Sequence, residues 1–529
     1  MTALGEIGDL DALRERAAAL AAAWGAAAAS ATTVGQERAI LRLFGVSGID
    51  RAGRPLAAEV VDRYLSPDPG RLARGIALPF AMAMAEYDLP PHELALEVAA
   101  GNVDLGLEAE LLAERDQRSV ALADATRLAR AALDRIDANR TARRELLSLL
   151  GDPPRPWLGA ALMEPAIVDA LDEAGLAIDA GVELIRVDVP PSRELADRLR
   201  RLGATVEAWQ AAPSSRGGLD AVDPSGQPIP TGSQRALTVL RRFVDEAGAR
   251  RRGYVRLATD APALAAPDQA VVAAFERIDV VIADPMREIV TGRVEPDRAI
   301  ADHVFAHRVL GRAGTRILVP AGPLVVAPDL ATGVPSDPAT RSGRALALQL
   351  LAVALARRDG LPVGSISVGA LPDWVVDEPD APARAAAEVA LRRALLPEHS
   401  LAFVEPVMSD EAAVTWHAIV STLLPDAGEV DVILRRPGAS LPVRARLTRA
   451  AATVAASLAG SRVVPRLTGV AMEHATQAAR AAASTLAALE ESGWRSILDQ
   501  PLGFAAGRDG IDAAVERTET FDPLAVPGS

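Results

Sequence analysis

Apolar runs that stop at polar residues recur through the middle of the chain. VELIRVDV (Val182–Val189) carries Arg186 and Asp188 at its end, GYVRLATD (Gly253–Asp260) stops at Asp260, and IDVVIAD (Ile278–Asp284) stops at Asp284. Short β-rich runs with helical periodicity between them are the pattern of parallel strands joined by crossover helices. Strands are predicted at Trp157–Leu162, Val182–Val189, Ala204–Ala208, Tyr254–Ala258, Ile278–Ala283, Thr315–Val319, Ser365–Gly369 and Ala402–Glu405. Helices are predicted between most of them, at Ile167–Ala180, Glu194–Leu202, Gly232–Ala247, Gln269–Phe275, Arg298–Leu310, Arg341–Arg357 and Ala383–Leu395. Eight such units in about 270 residues predict an α/β fold of the (β/α)8 TIM-barrel type. A doubly wound open sheet is the structural alternative.

The flanks read differently. From Leu10 to Leu150 the periodicity is helical, broken at Pro90-Pro91 and Gly101-Asn102. In ATTVGQERAILRLFGVSGID (Ala31–Asp50), Thr33 can cap a helix that Gly45 and Gly48 end. GDPPRP (Gly151–Pro156) marks a boundary, and from about Leu447 the pattern is helical again. The expected organisation is an all-α N-terminal accessory region over 1–150, the barrel over 151–430, and a mainly helical C-terminal region over 431–529. Long connections at Ala211–Thr231, Pro320–Pro338 and Leu371–Ala381 would all lie on the carboxyl face of the barrel.

Composition narrows the chemistry. The net charge of −14 argues against non-specific nucleic-acid binding. There are no cysteines, which removes disulfides, thiolate metal sites and Cys nucleophiles. There is also no lysine among the 529 residues, so every one of the 56 basic residues is Arg. No side chain here can therefore form a Schiff base with an aldehyde cofactor. The N-terminal stretch lacks the pattern of a secretory leader, and the longest apolar runs, such as Ala345–Ala356, fall short of the roughly 20 residues of a membrane span. A cytoplasmic protein is expected.

Ligands of such barrels bind beyond the carboxyl ends of the strands. Arg186, Asp188, Asp260, Asp284 and Glu405 fall there. Carboxylates at these positions can hold a metal, a substrate amine or a ring nitrogen; they can equally cap the helices that follow. Arg216-Gly217-Gly218 could let the backbone approach a phosphate. His303 and His307 stand four apart on one helix face, without the Glu of a metalloprotease motif, and a solvated or capping role on the outer ring is expected for them. No metal-ligating set is expected. No GxGxxG, P-loop, GxSxG or DxHxxG motif is placed to carry chemistry.

Several segments, in order, resemble the alpha subunit of lysine 5,6-aminomutase, a coenzyme B12- and pyridoxal-phosphate-dependent enzyme. They are TTVGQERAILRLFGVSGID, LDRIDANRTARRELLSLLGD, AGLAIDAGVELIRV, FERIDVVIADP, LARRDGLPVGSISVG, PVMSDEAA and LEESGWRSILDQPLGF followed by GRDGIDAAVE. The resemblance implies a barrel whose mouth receives pyridoxal 5'-phosphate and an amino acid. A beta-like partner would supply both the adenosylcobalamin-binding domain and the Schiff-base lysine. The activity implied is a radical 1,2-amino shift on a basic amino acid, with the cofactors carrying the chemistry. By the same resemblance Arg186, Ser192, Gly217, Gly218 and Asp284 match cofactor-binding positions, Ser192 after a one-residue shift.

The departures bear on the substrate. Pro262 stands where the family has Ser, Arg287 where it has a Tyr expected to stack on the cofactor, and Gly292 where it has an Arg expected to hold the substrate carboxylate. Arg293 is adjacent, so Asp260, Arg287 and Arg293 are the substrate candidates. VPAGPLVV has no acid where the family holds the substrate amine. An unpaired ammonium there would be costly. Two functions fit this pattern: an aminomutase subunit with an altered substrate, or a catalytically degenerate barrel that acts as scaffold or regulatory partner of a cobalamin-binding protein.

Overall fold

The computed structural model describes residues 9–48, 55–114, 118–153, 157–162, 167–187, 234–261, 264–290, 294–322, 337–378, 380–404, 416, 419, 430–434, 467, 469–496, 513–518 and 521–526. Eight strands form a closed parallel barrel. They are β1 (Leu158–Leu162), β2 (Leu184–Val187), β3 (Arg256–Asp260), β4 (Val280–Ile282), β5 (Arg316–Val319), β6 (Ile366–Gly369), β7 (Ser400–Val404) and β8 (Val430–Leu434). Each pairs with the next, and β8 pairs with β1 to close the ring.

The barrel is the one predicted, but its membership differs at two places. β2 pairs directly with β3, through Arg186↔Ala258, so the ring has no position for 204–208, which lies outside the described residues. The predicted last strand, Ala402–Glu405, corresponds to β7, which is seventh, and β8 closes the ring. VDVIL is a five-residue run with Asp431 inside it, too short and too polar to stand out as a buried strand. The ring therefore closes past the limit at residue 430 read from the sequence.

Side chains alternate across each strand, and this sorts them into lumen and shell. Leu184, Ala258, Val280, Ile282, Leu318 and Ala402 pack together inside the barrel. Their neighbours Ile185, Leu257, Val281, Ile317 and Leu401 join the large core shared with the helices. By the same parity Arg186, Asp260 and Asp284 fall on the lumen side, at the carboxyl ends of three adjacent strands.

The N-terminal helices are α1 (Leu10–Ala29), α2 (Val34–Leu43), α3 (Leu56–Leu65), α4 (Ala77–Tyr87), α5 (Pro91–Ala100), α6 (Leu105–Glu114) and α7 (Arg118–Leu150). The barrel helices are α8 (Ile167–Asp179), α9 (Gln234–Arg251), α10 (Ala266–Phe275), α11 (Pro285–Val290), α12 (Pro296–Ala313), α13 (Pro338–Arg358) and α14 (Ala381–Leu395), and α15 (Val470–Ser492) follows. Thr33 caps α2 as expected, accepting from the Gln36 amide at 3.0 Å. Gly45 and Gly48 take positive φ after it. α2 packs on α10, α1 on α12 and α13, and α15 on α13 and α14. The outer ring is thus itself covered, which explains why α13 is apolar on nearly every side. A two-residue pairing of Ala31–Thr32 with Val515–Glu516 ties the C-terminal segment to the start of α2. No helix among the described residues is long and apolar enough to cross a membrane.

Candidate active site

Three strand ends converge on the mouth. Arg186 is buried on β2, and its Nη2 donates to both carboxylate oxygens of Asp260 on β3, at 3.1 and 2.9 Å. Asp260 retains 22% of its side-chain exposure, so the pair faces the opening rather than the packed lumen. The register puts Asp260 two residues beyond the position opposite Arg186, within reach of a long guanidinium arm.

Asp284 lies two residues beyond β4. It caps the short helix α11, accepting from the Met286 amide at 3.0 Å. It is only 5% exposed. Burial pushes its carboxyl up to about 6, against the lowering effects of the Arg287 and Met286 amides, the Arg287 charge and nearby His303. A carboxyl that titrates near neutrality at a strand end can hold a cation or share a proton with a ring nitrogen. Arg287 is the exposed residue of α11, one turn along at the rim. Ser192, Gly217, Gly218, Arg293, Asp188 and Glu405 lie outside the described residues.

Behind Asp284 is a cluster that sequence reasoning missed. His303 and His307 are not solvated: both are buried, with ring centroids 5.7 Å apart. His303 Nε2 meets Glu288 Oε1 at 2.9 Å, and His307 Nδ1 meets Asp359 Oδ2 at 2.8 Å. The cause is packing: α12 is covered by α1 and α10, and the face carrying His303 and His307 is buried beneath them. Burial drives Glu288 well above the usual carboxylate range and His303 down to about 4. The pair therefore holds one proton between them and no net charge. Asp302, beside it, is pushed up to about 6 by burial, opposed by Arg298 and by the Thr33 hydroxyl that donates to it. Gln36 Nε2 donates to the Ala301 carbonyl at 2.8 Å. The TTVGQ stretch thus latches onto the helix that backs Asp284. The legible signal was His303 and His307 in an α12 sequence whose other positions are largely apolar.

Arg186 and Asp260 are brought together, and Asp284 lies just beyond the neighbouring strand. The chemistry of this donor set, one guanidinium and two carboxylates with one of them near neutrality, suits a small ligand carrying both signs of charge. It fits an amino acid and the ring nitrogen of a pyridine cofactor. Among the described residues no group of three or more His, Asp or Glu is placed to hold a metal ion.

A family described as D-lysine 5,6-aminomutase TIM-barrel domain of alpha subunit matches residues 6–423 of this chain. The lysine 5,6-aminomutase alpha subunit of Fusobacterium nucleatum subsp. nucleatum is 28% identical over 287 residues, covering 54% of this chain and 50% of that protein. That of Acetoanaerobium sticklandii is 29% identical over 287 residues, with coverage of 54% and 50%. The matched stretch spans about half the length of these curated relatives. Among solved structures, Yersinia pestis DHPS with a pterine-sulfa conjugate is similar at 14% identity and a TM-score of 0.31, over 58% of this chain and 95% of that one.

Proposed function

The chain belongs to the family of the D-lysine 5,6-aminomutase alpha-subunit TIM-barrel domain, and on that premise we propose that it is the barrel subunit of an aminomutase with an altered substrate. Its working form would be a hetero-oligomer with a beta-like subunit. That partner would bring adenosylcobalamin and the lysine this chain lacks. The observation that carries the proposal is the Arg186–Asp260 pair at the strand ends, with Asp284 just beyond the end of the adjacent strand β4.

Pyridoxal 5'-phosphate, when bound, would stabilise charge and unpaired electron density at the migrating nitrogen, and adenosylcobalamin would supply the radical. The protein's share is binding and orientation. Asp284, held near neutrality by burial, would hold or release a proton at a ring nitrogen. Asp260, ion-paired to Arg186 yet partly exposed, would orient a substrate ammonium. Ser192 with Gly217 and Gly218 are proposed for the phosphate, and Arg293 for a substrate carboxylate. The exposed cation of Arg287, together with the acid-free VPAGPLVV segment, favours a substrate less cationic than lysine.

Those two features also favour the alternative, a barrel that keeps its partner interface and has lost the chemistry. The test is a pyridoxal-phosphate titration of this chain co-purified with its cobalamin-binding partner, followed by absorbance. A saturable spectral change supports an aminomutase site, and amino acids are then screened for isomerisation. Cobalamin binding with no spectral change over the titration supports the scaffold.

A further inference from the structure

A second buried polar network runs from α15 to the strand ends, through α13 and α14, the next helices round the barrel from α12. It begins at His474 on α15. His474 Nδ1 lies 3.0 Å from Arg384 Nη1, and Nε2 lies 2.8 Å from Glu388 Oε1. A guanidinium only donates, so Nδ1 must be the acceptor and Nε2 carries the hydrogen that Glu388 receives. Ser342 Oγ on α13 lies 3.2 Å from the same Nε2. Glu388 pairs with Arg392 one turn further along α14. Arg392 Nε donates to Gln349 Oε1 at 2.8 Å, and its Nη2 donates to the Ala321 carbonyl at 3.0 Å. Gln349 Nε2 approaches the carbonyls of Val319, Pro320 and Gly369 at 3.3, 2.9 and 3.1 Å.

His474, Ser342, Glu388, Arg392 and Gln349 are all buried, and Arg384 is half-buried. The far end of this path is a set of four main-chain carbonyls at the carboxyl ends of β5 and β6. The turn after β5 is also held sterically. A Cβ on Gly369 would come within 2.4 Å of the Ala321 nitrogen, and one on Gly322 within 2.4 Å of Ala345 Cβ, so both glycines permit the close approach. Burial would raise the Glu388 carboxyl, but Arg392 and His474 outweigh it and hold it at about 2, so the network is charged at any working pH.

Apolar side chains of the same volume would hold three helices together at least as well, because buried ion pairs are costly to desolvate. What a fully satisfied polar network adds is one defined geometry. Here the groups defined are backbone carbonyls of the mouth, not the helices alone.

We infer that Gln349 and Arg392 are positioning residues for the barrel mouth, setting the Pro320–Gly322 turn, and that α15 takes part in this through His474. The inference rests on the mouth being the ligand face, as in the proposed function. It extends that function to the C-terminal region, whose α15 reaches the turn through Glu388, Arg392 and Gln349.

The test is hydrogen–deuterium exchange by mass spectrometry on the full chain, with global stability measured separately by urea unfolding. His474→Leu removes the hydrogen bonds to Glu388 and Arg384. His474→Gln retains a donor and an acceptor. His474→Leu should speed exchange of peptides spanning 316–323 and 366–371 by at least about fivefold relative to peptides from β2 and β3, the factor expected for one lost buried hydrogen bond. His474→Gln should stay within about twofold of wild type by the same measure. Should His474→Leu not fold, Arg392→Lys serves in its place. It keeps the charge beside Glu388 but cannot reach Gln349 and Ala321 together, and should loosen the same two peptides. A change confined to α14 and α15, or a uniform rise across the barrel that follows the lost stability, would overturn the inference. The readout needs no cofactor, so it stands apart from whether the chain proves to be an aminomutase subunit.

Discussion

Asp284→Asn isolates the cost of holding a carboxylate at the strand end. The Asn Oδ1 can still accept from the Met286 amide, so the cap on α11 survives. What is lost is the ionisable group that burial has pushed up to about 6 from an ordinary 3.8. The sign follows from linkage. A carboxyl raised in the folded state is charged against resistance, so it costs stability above about pH 6 and costs little below the unfolded value. At 1.36 kcal/mol per unit the full cost is on the order of 3 kcal/mol, and relaxation around the site reduces it to about 1–3 kcal/mol. Urea unfolding should show the variant more stable than wild type by that amount at pH 8, by about half as much at pH 5, and nearly equal at pH 4. If Asp284 serves the site, pyridoxal-phosphate binding by the complex should weaken even as stability rises, the trade expected of a strained functional group. A variant less stable than wild type at pH 8, or a gap that does not narrow towards pH 4, would refute the reasoning.

Three further outcomes follow from the same geometry. Asp260→Ala removes the carboxylate that the buried Arg186 Nη2 meets and should cost about 1–3 kcal/mol, since Asp260 is partly exposed; the urea midpoint checks it. Thr33→Ala removes both the cap on α2 and the donor to Asp302, and should cost about 2–3 kcal/mol by the same measurement. His303, kept neutral down to about pH 4 by burial, makes the fold lose stability as pH falls from about 6.5 towards 4, since only the unfolded chain takes up that proton. His303→Asn should flatten this acid limb by on the order of 3 kcal/mol. An unchanged limb would show that the Glu288 proton compensates.

The fold class was legible along the chain, because strand alternation and helix periodicity depend only on near neighbours. Runs such as VELIRVDV and IDVVIAD were legible as strands, and Arg186, Asp260 and Asp284 stand at or just beyond strand ends. The sequence also determined that no side-chain amine is available for a Schiff base. Ring membership was less legible. Whether ATVEA or VDVIL completes a barrel depends on which strand lies beside β2 and which beside β1, and pairing between distant segments leaves no local mark. Polar roles were least legible. His303 and His307 look like surface residues until α1 and α10 cover α12, and Gln349 is a lone amide in an apolar run until Arg392 and three carbonyls surround it. Local spacing sets which face of a helix a residue occupies. Only tertiary packing decides whether that face meets water, another helix or a buried charge, and burial is what moves Asp284 and His303 from their ordinary titration ranges.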